Sequence, residues 1–157
     1  AEEEEEVSSV LHLRHESQAA QAAEGIPFVV HTWNACLEVR FYSMEVASCV
    51  PESLQQRLLW YGASDWSSGT IRWQDTDWPE NPPLCLWASG WWSGFTTCRQ
   101  GDPQQTWAPR AGDPGRGAPK GRRTVWAICL SSGECLGDNG GIVTLRRLPM
   151  RLFLSFQ

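Results

Sequence analysis

The stretch Ile26-Pro-Phe-Val-Val-His-Thr-Trp33, followed by Leu37-Glu-Val-Arg-Phe-Tyr42, carries the clearest structural signal of this sequence. In both runs, apolar residues alternate with polar ones or cluster over the length of a strand, so each run predicts a β-strand. Strands are also predicted over 124–130, 142–145 and 152–154, with a turn at 131–134. The chain has 157 residues, which corresponds to about one domain.

The segment ahead of these strands has a different character. Glu2 to Glu6 form an acidic run, and Ser8 or Ser9 is placed to cap a helix that continues to about Ala23 and stops at Gly25. We therefore predict an α+β fold in which an N-terminal helix precedes mostly short antiparallel strands. The predicted organisation is an acidic head and helix over 1–25 and a single disulfide-bonded domain over 26–157.

Three further segments complete the prediction. Pro51 suits the first position of a helical turn through 59. Residues 99–123 are rich in Gly, Pro and Arg and poor in apolar surface, which predicts a flexible loop. The arginines of this loop form no repeat, so they do not indicate nucleic-acid binding. Residues 137–141 have the composition of a turn.

The six cysteines form an even set without a CxxC pair, which argues against zinc ribbons and redox motifs of the thioredoxin type. Three disulfides in a secreted protein are expected, and buried free thiols are the alternative. The pairing stays open among 15 possibilities. No run approaches the length of a membrane span, and no metal site or cofactor is predicted.

Seven of the ten tryptophans lie between Trp60 and Trp92, in a window with long loops and few charges. Indole rings beside carboxylates and amides suit sugar stacking or a protein contact. The C-terminal third, residues 110–157, holds eight basic and three acidic side chains, which favours anionic partners. The candidate ligand-binding residues are Trp66, Trp78, Trp87, Trp91, Trp92, Asp75, Glu80, Asn81, Arg146 and Arg147.

A family resemblance rests on part of this window. Cys49-Val-Pro-Glu-Ser-Leu-Gln-Gln-Arg-Leu-Leu-Trp60-Tyr-Gly62, with Asp65, Gly69 and Arg72-Trp73-Gln-Asp75, resembles the Trp-, Gly- and Asp-containing core of C-type lectin-like domains. Residues 127–156 resemble the C-terminal end of the eosinophil major basic protein branch. The resemblance implies a lectin-like architecture. The calcium and sugar signature E-P-N is absent, so it does not imply calcium-dependent sugar binding.

The sequence contains no phosphate-binding loop, no G-x-S-x-G and no H-E-x-x-H. We therefore expect a secreted, non-enzymatic binding module whose partner is a glycan, an anionic polysaccharide or a protein. One alternative is a glycan hydrolase that uses Asp65, Asp75, Asp77 and Glu80 as its carboxylates. Another is a poorly folded orphan interaction protein, because sustained periodicity is sparse.

Overall fold

The computed structural model describes residues 25–32, 35–111, 123–139, 142–146 and 152–156. These residues form twelve strands and no helix. The strands are β1 (Ile26–His31), β2 (Cys36–Arg40), β3 (Ser43–Ala47), β4 (Leu58–Gly62), β5 (Gly69–Trp73), β6 (Leu84–Ser89), β7 (Trp92–Thr96), β8 (Trp107–Ala111), β9 (Arg123–Leu130), β10 (Cys135–Asn139), β11 (Ile142–Arg146) and β12 (Leu152–Phe156).

The fold is all-β, so the α+β prediction is wrong. The predicted N-terminal helix lies outside the described residues. The helical turn expected after Pro51 is a pair of turns that leads directly into β4, because the apolar residues that follow are drawn into the sheet. The strands expected near Ile26, Leu37 and in the segments 124–130, 142–145 and 152–154 are confirmed as β1, β2, β9, β11 and β12.

The strands form three consecutive units of four: β1–β4, β5–β8 and β9–β12. In each unit the first and last strands contribute to a closed ring with the order β1–β4–β5–β8–β9–β12, and β12 pairs with β1 again. The middle strands form the hairpins β2–β3, β6–β7 and β10–β11. The hairpins β6–β7 and β10–β11 both pair with β3, so a seven-strand circuit also closes through β9, β10, β11, β3, β2, β1 and β12. All pairings are antiparallel.

Tryptophan rings occupy much of the interior. Trp60 and Trp66 stack with their ring centroids 4.7 Å apart, and Phe28 meets Trp66 edge-on at 5.5 Å. Trp107 is fully buried, and its indole N–H donates to the backbone oxygen of Leu86 at 2.9 Å. Several tryptophans of the Trp-rich window are therefore core residues, which accounts for the high local tryptophan content by packing.

The first two units share a disulfide loop that recurs with a spacing of 49 residues. Cys36–Cys49 and Cys85–Cys98 each join residues 13 apart, and the second pair lies 49 positions after the first. Gln56 and Gln105 have the same spacing and are 2% and 1% exposed. This recurrence is the sequence signal that the first two units are equivalent.

Each buried glutamine holds its loop by the same bonds. Oε1 of Gln56 accepts from the backbone N–H of Val50 at 2.9 Å, and its Nε2 donates to the backbone oxygen of Ser48 at 2.8 Å. In the second unit, Gln105 accepts from Arg99 at 2.8 Å and donates to Thr97 at 3.0 Å. One side chain therefore satisfies two backbone groups that the turns leave unpaired.

The expectation of three disulfides is confirmed, and the third bond is Cys129–Cys135. It departs from the spacing of the first two, because Cys129 and Cys135 are directly opposite on β9 and β10.

The region expected as a flexible loop over 99–123 contains β8 and the start of β9. The turn composition at 137–141 also overlaps β10, which extends to Asn139. In both cases the pairing with a neighbouring strand prevails over the local preference of Gly, Pro and Asn for turns.

Candidate functional site

The loop between β5 and β6 is longer than its counterparts in the other two units. The connection between the first two strands of a unit spans residues 32–35 in the first unit and 131–134 in the third, but residues 74–83 in the second. This long loop contains Asp75, Trp78, Glu80 and Asn81, so four of the ten candidate residues lie in one segment. Loops on a rigid scaffold are where binding residues concentrate, which makes this insertion the candidate site.

The side chain of Gln74 organises the long loop from within. Its Nε2 lies within hydrogen-bonding distance of three backbone oxygens: 3.0 Å from that of Asn81, 3.3 Å from that of Trp78 and 3.4 Å from that of Asp75. The backbone closes two turns, in which Trp78 donates to Asp75 at 3.3 Å and Asn81 donates to Trp78 at 3.0 Å. The loop is thus held in shape without a regular strand, and Trp78 remains 54% exposed.

A groove of about 520 Å³ runs between this loop, β4 and the turn before β4. It is lined by Leu54, Arg57, Leu59, Tyr61, Gln74, Asp75, Thr76, Pro79 and Pro83. The lining is mostly apolar and includes a few polar groups, as in small-molecule sites. The long loop forms one wall, and the corresponding connections in the other two units are too short to form a similar wall.

Tyr61 is fixed against the β-sheet at the inner side of this groove. The guanidinium carbon of Arg72 lies 4.2 Å from the centroid of the Tyr61 ring, a cation–π contact. Arg72 is itself positioned by a hydrogen bond from its Nε to Oγ1 of Thr70 at 2.9 Å. Tyr61 is therefore the aromatic ring of the groove lining, and the exposed Trp78 immediately precedes the lining residue Pro79.

Asp75 connects the long loop to the first unit. Its Oδ2 accepts a hydrogen bond of 2.7 Å from the hydroxyl of Tyr42, and its Oδ1 accepts from the backbone N–H of Asp77 at 3.0 Å. Tyr42 lies in the turn between β2 and β3, with a positive φ of 63°. Asp75 is 6% exposed, so it acts as a structural link at the edge of the groove.

The phenol of Tyr42 should titrate above its ordinary pKa of 10.0, because its hydrogen bond to Asp75 raises the pKa, followed by burial and by the negative charges of Asp75 and Asp77. The stability that this bond contributes is full below the unfolded-state pKa and is lost as the pH rises through the higher folded-state pKa. An ultraviolet titration of a Tyr61→Phe variant, in which Tyr42 is the single tyrosine, would measure this pKa directly.

The control for that titration is Asp75→Asn in the same background, which should return the pKa of Tyr42 towards 10.0. A phenol that titrates at 10.0 or below in the presence of Asp75 would contradict the proposed link.

The remaining candidate tryptophans are distributed over two regions. Trp66 is 5% exposed and lies in the core against Trp60, so it does not contribute to the surface. Trp87 and Trp92 are half-buried neighbours on the hairpin β6–β7, with ring centroids 5.4 Å apart. Trp91 is at the tip of the hairpin and is 82% exposed.

The close packing of the Trp92 ring leaves room only for glycine at position 94. A Cβ at Gly94 would lie 2.4 Å from the six-membered ring of Trp92 and 2.4 Å from the backbone oxygen of Tyr42. The indole N–H of Trp92 donates to Oγ of Ser43 at 3.1 Å. The ring of Trp92 therefore fits between two hairpins, and Trp91 is left as the exposed member of the group.

Arg146 belongs to β11, but its side chain is not described, and Arg147 lies outside the described residues. The groove residues Leu54, Arg57 and Gln74 were not among the sequence-based candidates. The recurrence of cysteine and glutamine positions after 49 residues relates the first two units, but it gives no signal that Leu54 and Arg57 face the 74–83 loop. Within the described part of the chain, no helix is long and apolar enough to cross a membrane.

Three units of four strands around a six-stranded ring, capped by three hairpins, define a disulfide-stabilised β-trefoil module. A chain in the crystal structure of cytolethal distending toxin (CDT) from Actinobacillus actinomycetemcomitans is similar to this protein, with a TM-score of 0.55 and 15% identity over 81% of this chain and 88% of that one. The crystal structure of Cry35Ab1 is also similar, with a TM-score of 0.58 and 10% identity over 84% of this chain and 36% of that one. At these identities the likeness shows the fold alone.

No family model matches the sequence, and no curated protein does. The C-type lectin-like resemblance is wrong, because the strand order and the similar structures both belong to a β-barrel fold. The Trp and Gly anchors that suggested it lie in the antiparallel pair β4–β5, where Trp60 faces Ile71 and Gly62 faces Gly69. Such anchors reflect core packing and close strand approach, which many folds require.

Proposed function

We propose that this protein is a non-enzymatic binding module that takes a glycan in the groove beside the 74–83 loop. The observation that carries the proposal is the groove itself, one wall of which is the ten-residue β5–β6 connection, where the equivalent connections of the other units have four residues. The exposed indole of Trp78 is directly followed by Pro79 in the groove wall. The C–H face of a sugar packs on an indole, and sugar hydroxyls need nearby polar groups such as Arg57 and Gln74.

The volume of about 520 Å³ is within the range of small-molecule sites and suits one or two sugar rings. The positive charge of Arg57 in the lining would favour a glycan that carries a carboxylate or sulfate group.

The hydrogen bonds of the Asp75 and Asp65 carboxylates support ligand binding without catalysis. Asp75 is buried, and both of its oxygens accept hydrogen bonds from Tyr42 and Asp77. Asp65 belongs to a different loop, where its Oδ1 accepts from the backbone N–H of Ser67 at 3.0 Å. A hydrogen bond from the Ser67 side chain, followed by this backbone bond, holds the pKa of Asp65 below its ordinary value, which is the opposite of what a general acid needs.

Three disulfides in a small β-fold are consistent with an extracellular protein. Disulfides of this kind persist in oxidising compartments. We therefore include secretion in the proposal, which also suits a partner that is displayed on cell surfaces.

A glycan array with neutral, carboxylated and sulfated members tests the function, and titration of the best glycan gives its affinity. Trp78→Ala should weaken binding about tenfold, which corresponds to about 1.4 kcal/mol for the loss of one aromatic contact. Trp91→Ala is the matched control, since Trp91 is also an exposed tryptophan but lies at the tip of the β6–β7 hairpin and not in the 74–83 loop. No binding on the array, or equal losses in both variants, would refute the groove as a glycan site.

A protein partner is the second candidate, and the exposed hairpin tips favour it. Phe41 in the β2–β3 turn is 88% exposed and Trp91 in the β6–β7 turn is 82% exposed. Large exposed aromatic residues are typical anchors of protein interfaces. In this case, Trp91→Ala would weaken binding of the partner, whereas Trp78→Ala would leave it unchanged.

A further inference from the structure

His31 lies beside the first disulfide at the end of β1. Its Nδ1 is 3.4 Å from Sγ of Cys36 and 3.6 Å from Sγ of Cys49. Among the described residues, this is the place where three side chains of metal-ligating types bring their ligand atoms within 4.8 Å of one another. The disulfide and the imidazole thus form a compact corner outside the groove lining.

The distances from the His31 nitrogen to the two sulfurs match those of a tetrahedral zinc site. With Zn–N near 2.0–2.1 Å and Zn–S near 2.3 Å, a histidine nitrogen and a cysteine sulfur are about 3.6 Å apart across the ion. The two N···S distances of 3.4 and 3.6 Å already meet this requirement. The change that is needed is separation of the two sulfurs, which requires the disulfide to be reduced.

We infer that reduction of Cys36–Cys49 converts this corner into a His-Cys-Cys site for Zn²⁺. Cys49 is exposed and Cys36 is 1% exposed, so an external dithiol attacks the sulfur of Cys49. The S–S bond breaks, Cys36 leaves as a thiolate and takes up a proton, and the second thiol of the reductant releases Cys49. The cysteine pair gains two electrons and two protons, and the dithiol becomes a disulfide.

Zinc binding then completes the conversion. Zn²⁺ displaces the two thiol protons into solvent and is bound by two thiolates and Nδ1 of His31, with water in the fourth position. Cys49 can move away from Cys36 by side-chain rotation, because it is exposed at the start of the loop that Gln56 holds.

The second unit provides an internal control. Cys85–Cys98 occupies the equivalent position, with the same separation of 13 residues. Its Cys98 sulfur lies 3.5 Å from the backbone oxygen of Pro83, and within the described residues no histidine joins this pair in a metal-ligating group. The inference therefore predicts zinc binding at one of two otherwise equivalent disulfides.

The test uses the full chain, reduced with a dithiol that is then removed without oxygen. Zinc affinity is measured by competition with a chromophoric chelator, and Co²⁺ serves as a spectroscopic probe of thiolate ligation. We expect one ion per reduced chain with a thiolate-to-cobalt absorption band, and at least a tenfold loss of affinity in His31→Ala. Cys85→Ser/Cys98→Ser should keep the site, and Cys36→Ser/Cys49→Ser should lose it.

The fold of each sample is followed by the near-ultraviolet circular dichroism of the tryptophans. The inference is overturned if the oxidised chain binds Zn²⁺ as tightly, or if His31→Ala has unchanged affinity. It is also overturned if reduction abolishes the native dichroism and the reduced chain binds zinc no better than it does in urea. None of these outcomes affects the glycan array of the oxidised protein.

Discussion

Replacing Trp107 with alanine is expected to lower the free energy of unfolding by about 3–5 kcal/mol, the range for loss of a large buried aromatic side chain. Trp107 is 0% exposed and is the first residue of β8. It pairs with Leu130 of β9, which joins the second unit to the third, and with Gly69 of β5. The substitution leaves a cavity at this junction and removes the indole hydrogen bond to Leu86. Urea unfolding followed by circular dichroism measures the change.

Trp91→Ala is the control, because it removes the same side chain from a site that is 82% exposed and should change the stability by no more than about 0.5 kcal/mol. Trp107→Phe separates the contribution of ring packing from that of the indole hydrogen bond, since it keeps an aromatic ring and removes the N–H donor. A loss below about 1 kcal/mol in Trp107→Ala would contradict the central place of this residue in the core.

Gln56→Ala and Gln105→Ala are each expected to lower the free energy of unfolding by about 2 kcal/mol. Each substitution removes a side chain that hydrogen-bonds to a backbone N–H and a backbone carbonyl of its loop. Gln56 also donates to Oε1 of Glu38 at 3.2 Å, so its loss affects β2 as well. The glutamate variants should be as damaging as the alanine variants, since a carboxylate would face the backbone oxygen that Nε2 now contacts. The same urea titration measures both effects.

Two exposed glutamines of the same β3–β4 and β7–β8 connections serve as controls. Gln55 and Gln100 are exposed, and their alanine variants should lie within about 0.5 kcal/mol of the original protein. If Gln56→Ala and Gln105→Ala gave unequal losses, with one near zero, the two loops would not be energetically equivalent despite their matching geometry.

The strand runs near Ile26 and Leu37 were predictable because alternation of apolar residues is a local property. The even cysteine count predicted three disulfides correctly. The strands β5–β8 were not predicted, because Trp, Gly and Pro obscure the period-two pattern there. In Trp107-Ala-Pro-Arg-Ala111, one buried tryptophan and pairing with β9 establish a strand that the composition argues against.

The candidate site could also be predicted only in part from the sequence. The sequence predicted Asp75, Trp78, Glu80 and Asn81 as candidates, because a proline-rich segment with a tryptophan beside carboxylates and an amide can be recognised without the fold. It did not indicate that Leu54 and Arg57 would face this loop, or that Tyr42 would bond Asp75 from 33 positions away. Those contacts depend on how the first two units pack.

By itself the sequence determined that the protein is rich in strands, contains three disulfides and concentrates tryptophan in its middle third. The tertiary structure decided which tryptophans are core and which are surface, how the cysteines pair, and that the 74–83 loop is an insertion into a threefold repeat. Strand periodicity and cysteine count depend on neighbouring residues or on composition. Burial and pairing depend on strands that are far apart in sequence closing into one ring, and no local pattern specifies that closure.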